Sequence, residues 1–200
     1  MNETINHYDS LIDENNDPVN DPVSLREYMD KWDGLAFIDE LQVTAGKSIL
    51  EIGVGSGRIA VKVCGLCKTF TGIDISPKTI ERAKVNLKAF ENTTLICGDF
   101  TTYKFAGKFD IIYSSLTFMH IRDKQTAIAK TAGLLNKNGR FVLSVDKNDS
   151  QVMRYGARTV KIYPDTVENI TDSIDKAGLK IIKRSETEFA HIFTAVKRNE

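Results

Sequence analysis

The chain has 200 residues, 42% of them hydrophobic, enough to bury a sizeable core in one globular unit. Lys and Arg together number 27, as do Asp and Glu, and a formal net charge of zero lacks the electrostatic footprint of a duplex-binding protein, so no nucleic-acid partner is expected. The chain opens on no basic segment followed by an apolar run, and no window nears ~18 consecutive apolar residues, so the expectation is no membrane partner and a cytoplasmic location.

The first 23 residues carry six acids (Glu3, Asp9, Asp13, Glu14, Asp17 and Asp21) and no Lys or Arg, and with "NNDPVNDP" they read as a solvated, irregular lead-in. His7 lies within it and carries no argument. Ser24 with Glu27 makes a capping box, and Leu25, Met29, Trp32 and Ala36 recur near helical spacing, so a helix is expected from there, with Gly34 as a possible break. From Ser48 short β-branched runs alternate with longer amphipathic segments, the signal of a parallel sheet flanked by helices.

The strand candidates are 48–52, 69–75, 94–98, 109–114 and 140–145, and the helix candidates 57–66, 77–90 and 122–135. Ser76 and Pro77 open the second of these helices, and "NKNG", Asn136 to Gly139, stops the third. Residues 146–163 read as polar and irregular. A last helix begins near Pro164 and Asp165 and ends at Gly178, with one stripe of Val167, Ile170, Ile174 and Ala177. Two closing runs, "LKIIKRSE" and "FAHIFTAVKR", have too few residues between them for a crossover and should pair antiparallel. His191 alternates with Phe189 and Phe193 and reads as packing.

Cys64, Cys67 and Cys97 are an odd number in a chain that needs no covalent staple, which suits a reducing compartment. Cys64 and Cys67 spell C-x-x-C, but no second pair supplies metal ligands. The pair also sits near a helix end, away from the helix start where a dipole lowers a thiol pKa, so no metal site or redox pair is expected.

The stretch "ILEIGVGSGRIA", Ile49 to Ala60, turns a strand tightly into a helix, as a nucleotide site requires. A dinucleotide fingerprint G-x-G-x-x-G counted from Gly53 and Gly55 would end at position 58, where the chain has Arg58; its third glycine, Gly57, comes one residue early. Glu51 would repel a pyrophosphate and attract an ammonium or a sulfonium. S-adenosylmethionine (SAM) carries both cations together with an adenosine. Asp74, in "GIDIS", lies 19 positions past Gly55 and suits a ribose; Asp99, in "CGDF", could accept the adenine amine beside an apolar ring face from Phe100 or Ile75.

With these residues on the page, the chain resembles the class I, SAM-dependent methyltransferases of small-molecule type. "LEIGVGSG" resembles the family's glycine-rich motif, "GIDIS" its ribose-binding acid, "CGDF" its adenine-binding acid, "FDIIYSSLTFMHI" its fourth-strand motif and "LLNKNGRFVLS" its fifth-strand segment. The resemblance spans about residues 46–145. It implies a Rossmann-like α/β three-layer sandwich whose seven-stranded, mostly parallel sheet ends in an antiparallel strand. It also implies an N-terminal helical lid, with residues 1–45 as acidic lead-in and lid and residues 46–200 as the SAM-binding unit of a single domain.

The implied cofactor residues are Glu51, Gly53, Gly55 and Gly57 around the methionine part, Asp74 on the ribose, Asp99 with Phe100 and Ile75 on the adenine, and Ser115 after strand four. The implied lid carries Arg26, Tyr28, Met29 and Trp32, and "DKN", Asp146 to Asn148 with Lys147 between them, Tyr155 and Arg158 are further pocket candidates. Methyl transfer is an in-line displacement to an N, O or C atom, and His120 is the candidate base where a proton must leave. No [D/N]-P-P-[F/Y] follows strand four and no Pro-Cys nucleophile occurs, so the expected acceptor is a small molecule. Two other readings stay open: a non-catalytic SAM-binding regulatory or scaffold protein, and an NAD(P)-dependent oxidoreductase, which Glu51 and Arg58 disfavour.

Overall fold

The β-branched runs assemble, in a computed structural model that describes residues 2–198, into a seven-stranded sheet with a small separate hairpin. In chain order the strands are β1 (Ser48–Ile52), β2 (Thr69–Asp74), β3 (Thr93–Cys97), β4 (Phe109–Ser114), β5 (Leu135–Asp146), β6 (Val152–Tyr155), β7 (Arg158–Lys161), β8 (Leu179–Glu186) and β9 (Ala190–Lys197). The large sheet has the order β3-β2-β1-β4-β5-β9-β8, and β9 pairs antiparallel with both β5 and β8, as the two closing runs predict. Strand order reverses between β1 and β4, the switch point outside which a doubly wound sheet opens a crevice.

The helices are α1 (Asn2–Asp13), α2 (Val23–Met29), α3 (Gly34–Leu41), α4 (Ala60–Val63), α5 (Pro77–Asn86), α6 (Lys124–Leu134) and α7 (Val167–Lys176). The period of two along each strand sorts the core into two layers. Leu50, Ile112, Phe141 and Phe193 pack with Ile128 of α6 and Ile170 of α7, while Ile49, Ile111, Val142 and Ile192 pack with Phe37 of α3, Ala60 of α4 and Ile80 of α5. Successive residues of one strand thus serve opposite faces, which requires helices on both sides.

Several expectations give way. The lead-in is not irregular: α1 packs on α5 and β7, and several of the segment's acids are partnered. Asp9 Oδ1 accepts from the Ser76 hydroxyl at 2.6 Å, Asp13 pairs with Lys78 at 2.5 Å, and the following Asp17 accepts from Arg82 Nη1 at 3.1 Å and from the Asn86 amide. Ser24 caps nothing, because α2 starts one residue before it with Pro22 at the N-cap. The helix expected across Gly34 breaks there, since Asp33 caps α3 by accepting from the Gly34 N–H.

The segment expected as a helix over 57–66 is one short α-helix and a 3-10 turn, Cys64–Leu66. α5 stops at Asn86, whose amide also donates to the Ser56 carbonyl. Residues 146–163 contain the β6–β7 hairpin, turned through Gly156 at φ +56. β5 begins as early as Leu135 and takes up "NKNG" through an irregular register against β4. His191 does not pack in the core but faces Glu186, 3.3 Å from its carboxylate.

Candidate functional site

At the carboxyl ends of the parallel strands a cavity of about 1090 Å³ opens, lined from the glycine loop, the ends of β2 and β3, the loop after β4, the β6–β7 hairpin, α1 and α2. That is room for a nucleotide and a second small molecule together.

The glycine loop builds one wall. Gly53 has φ +78, and a Cβ there would stand 1.9 Å from Thr117 Oγ1, so the residue after β1 must be glycine for the loop after β4 to close against it. Gly55, at φ +56 with open space around it, lets the backbone approach a ligand, and its N–H donates to Asp74 Oδ2 at 3.0 Å. Gly57 is different: it does not line the cavity, and at φ +100 it makes room for Leu87, which a Cβ would meet at 3.3 Å. Its place in the structure is against Leu87, between Ser56 and Arg58, which do line the cavity.

Glu51, Asp74 and Asp99 all line the cavity, from the end of β1, the end of β2 and just past β3. Glu51 is buried and accepts from the Tyr113 hydroxyl at 2.9 Å; burial outweighs that bond and the pull of the Arg58 guanidinium and holds its carboxyl well above the usual carboxylate range. Asp74 is also pushed up by burial, against the pull of backbone N–H groups from Ser76 and Gly55. The bonds that Asp99 accepts within the protein, from the Thr101 N–H and hydroxyl, both fall on Oδ1, which leaves Oδ2 for a ligand. Phe100 and Ile75 line the cavity beside it, Phe100 being 5% exposed.

Ser115 lies on the cavity, but its hydroxyl is committed, donating to Asp33 Oδ2 at 2.7 Å. Asp33 also takes both Nη atoms of Arg58, so the residue that departs from the dinucleotide fingerprint clamps the segment between α2 and α3 onto the glycine loop. Burial raises Asp33, but Arg58, Ser115 and the Gly34 N–H more than offset it and leave the carboxyl below its ordinary range.

Of the lid residues, Tyr28, Met29 and Trp32 line the cavity. Trp32 is fixed by its indole N–H on Asp146 Oδ2 at 3.1 Å and by Phe189, 4.7 Å between ring centroids. Arg26 does not reach the cavity, because α2 buries none of its residues and Arg26 stays on its exposed face. Lys147 also misses it, held instead by Glu186 at 2.9 Å and the Thr187 carbonyl, and Arg158 pairs with Glu14 at 2.6 Å. Tyr155 does line the cavity, and so do Asp146 and Asn148 on either side of Lys147.

Sequence reasoning missed the wall that α1 supplies: Thr4, His7, Tyr8 and Leu11. The helical spacing of Ile5, Tyr8, Leu11 and Ile12 was the available signal, masked by the acids between them. Tyr8 shares a hydrogen bond of 2.8 Å with Nε2 of His120, which lines the cavity from the 3-10 turn Phe118–His120. Burial holds the His120 imidazole down to about 4, with His7 adding to the shift, so it is neutral at neutral pH. Elsewhere, burial raises the Cys64 thiol to about 12. No helix among the described residues is long and apolar enough to cross a membrane.

Residues 50–143 match the family model described as a methyltransferase domain. A methyltransferase of Anoxybacillus flavithermus is 34% identical over 122 residues, covering 59% of this chain and 56% of that protein. One of Bacillus licheniformis is 28% identical over 144 residues, covering 70% of this chain and 62% of its own. The chain thus spans little more than half the length of these curated relatives. Among solved structures, the N-methyltransferase NodS from Bradyrhizobium japonicum WM9, in complex with S-adenosyl-L-homocysteine, superposes with a TM-score of 0.74 at 19% identity, over 98% of this chain and 100% of that one. Magnesium protoporphyrin IX methyltransferase from Synechocystis PCC 6803, with bound SAM, gives 0.73 at 17% identity, over 98% and 95%. At these identities the likeness is one of fold, and it extends through the N-terminal helices. Residues 50–143 are thus similar to a methyltransferase domain, on a fold that this chain shares with SAM-binding methyltransferases.

Proposed function

We propose that this protein moves a methyl group from SAM to a small-molecule acceptor by in-line displacement. The observation that carries the reading is three carboxylates, Glu51, Asp74 and Asp99, at the ends of three parallel strands around one cavity, with three positive-φ glycines between the first and second, of which Gly53 and Gly55 line it. When bound, SAM supplies an electrophilic methyl on a sulfonium, beside an ammonium and an adenosine.

The residues fit such a ligand. Glu51 is a buried acid that a nearby cation would ionise, so binding and ionisation favour each other. A pyrophosphate would meet the opposite electrostatics there. Asp74, already anchored by two backbone N–H groups, is preorganised to accept ribose hydroxyls. Asp99 Oδ2 is the acceptor for the adenine amine, with Phe100 and Ile75 against the ring. Ser115 serves by holding Asp33, and residues 1–45 act as the lid that keeps water from the reacting atoms.

His120 is the proposed base on the acceptor side. The neutral charge of the chain supports a small-molecule acceptor, and its free cysteines support a reducing, cytoplasmic compartment. The test is incubation of the protein with methyl-labelled SAM and fractionated metabolite extract. The label should move into a small molecule with release of S-adenosylhomocysteine. A protein that binds SAM but transfers label to nothing in any fraction is not the enzyme proposed.

A further inference from the structure

The wall that α1 contributes holds a polar cluster for which a SAM site has no use. Tyr8 and His120, 112 positions apart in sequence, share their 2.8 Å hydrogen bond among the apolar side chains of Leu11, Met119, Ile121 and Ile162, all on the cavity. His7 stands edge-on to Tyr8, with ring centroids 5.1 Å apart, and edge-on to Tyr155 at 5.8 Å. Nδ1 of His7 and Nδ1 of His120 are buried and have no hydrogen-bond partner among the described residues. Two orphaned imidazole nitrogens in one cavity wall are a cost that a bound polar group would relieve.

Resting on the methyltransferase reading above, we propose that Tyr8 and His120 form a proton relay for a hydroxyl-bearing acceptor, so that α1 supplies half of the acceptor site and the atom methylated is an oxygen. The acceptor hydroxyl donates to Tyr8 Oη, which donates to His120 Nε2 in the tautomer protonated at Nδ1. As the bond from the acceptor oxygen to the methyl carbon forms, the methyl–sulfur bond breaks and its electron pair stays on sulfur. The acceptor proton passes to Tyr8 Oη as the Tyr8 proton passes to Nε2, and the resulting imidazolium releases it to water when α1 lifts.

The weakness of the base selects the element. Burial keeps His120 at about 4. A hydroxyl whose oxygen is being methylated becomes far more acidic than that and gives up its proton. A methylated amine stays near the ordinary ammonium value of roughly 10, so such an imidazole could not relieve it and the relay would serve no purpose.

The test uses two probes of similar bulk, the phenol 2-naphthol and the aliphatic amine 1-naphthylmethylamine, whose methylated product is an ordinary ammonium. Each is titrated into the protein loaded with S-adenosylhomocysteine and separately turned over with SAM. The wild type should bind the phenol and form its methyl ether while leaving the amine unmethylated. Tyr8→Phe should lower kcat by about 10²-fold, the scale of general acid–base catalysis, with a much smaller rise in KM for the phenol, whose hydroxyl loses a partner, and with affinity for S-adenosylhomocysteine unchanged. His120→Gln should show the same split, and it keeps the test decisive if Tyr8→Phe fails to fold. Methylation of the amine at a comparable rate, an unchanged kcat in either folded variant, or no binding or turnover of the phenol overturns the proposal. Failure of the wild type to bind S-adenosylhomocysteine strikes instead at the methyltransferase reading.

Discussion

Asp33 and Arg58 face each other as a buried, two-pronged ion pair, each Nη of the guanidinium donating to its own carboxylate oxygen, and the pair joins the lid segment to the helix-opening end of the glycine loop. Asp33 Oδ2 also holds Ser115 after β4, so one carboxylate ties together three segments that border the cavity. Leaving Arg58 buried without its partner should be severe: Asp33→Ala is expected to cost about 3–5 kcal/mol. Urea unfolding of the two proteins checks this, and a loss under 1 kcal/mol would mean that the pair only decorates the surface of the loop.

Gly53→Ala is expected to lower both stability and SAM affinity. The left-handed backbone alone costs about 1–2 kcal/mol for a residue with a Cβ, and the new methyl must displace Thr117, which is short, branched and bonded to the Ser115 carbonyl. Gly107→Ala, at a site with open space and ordinary backbone, is the control and should change neither. Thermal melts with and without SAM read both effects.

Glu51 should trade stability for binding. Its folded pKa is raised, so its favourable contribution is complete below the unfolded value and is lost as pH climbs through the folded one; at neutral pH it weakens the ligand-free protein. Glu51→Gln keeps an acceptor for the Tyr113 hydroxyl and removes the titration. The ligand-free variant is expected to melt above the wild type at pH 7 and to bind SAM more weakly. A lower melting point with unchanged SAM affinity would place the cation elsewhere.

His120 gives the opposite dependence on pH. Its folded pKa lies below that of a free imidazole, so the unfolded chain binds the proton first and stability falls as pH drops from about 6.5 towards 4, by about 3 kcal/mol at 1.36 kcal/mol per unit. Glu51 and Asp74, raised by burial, work against this as pH falls, and His7, also lowered, works with it. The difference between wild type and His120→Asn isolates the contribution: it should shrink across that window and be flat above pH 7. A difference that is constant with pH would mean His120 is not buried as a neutral ring.

The sheet was legible because a parallel strand between two helical layers must be apolar on both faces, and runs such as "FDIIYS" carry that pattern without ambiguity. Glu51, Asp74 and Asp99 were legible for a related reason, since acids just past apolar strands fall on one edge of such a sheet. Gly57 was harder to read because a positive φ is needed as much for packing against Leu87 as for ligand approach, and spacing does not separate the two. Lys147 and Arg26 misled because a position near the cavity does not fix the direction of a long side chain, which Glu186 settles for Lys147. α1 was hidden because its acids Asp9 and Asp13 look solvated until Ser76 and Lys78 are brought beside them by the fold. The contact between Tyr8 and His120 spans most of the chain, and no local pattern encodes it.

The most direct measurement is calorimetric titration of the protein, and of its Asp74→Ala variant, with SAM, S-adenosylhomocysteine and NAD. SAM and its demethylated product should bind at one site per chain and NAD should not. Asp74→Ala should weaken both by about 1–3 kcal/mol, the usual cost of unpaired hydrogen-bonding groups. Binding of NAD alone, or SAM affinity untouched by the loss of Asp74, would contradict the account.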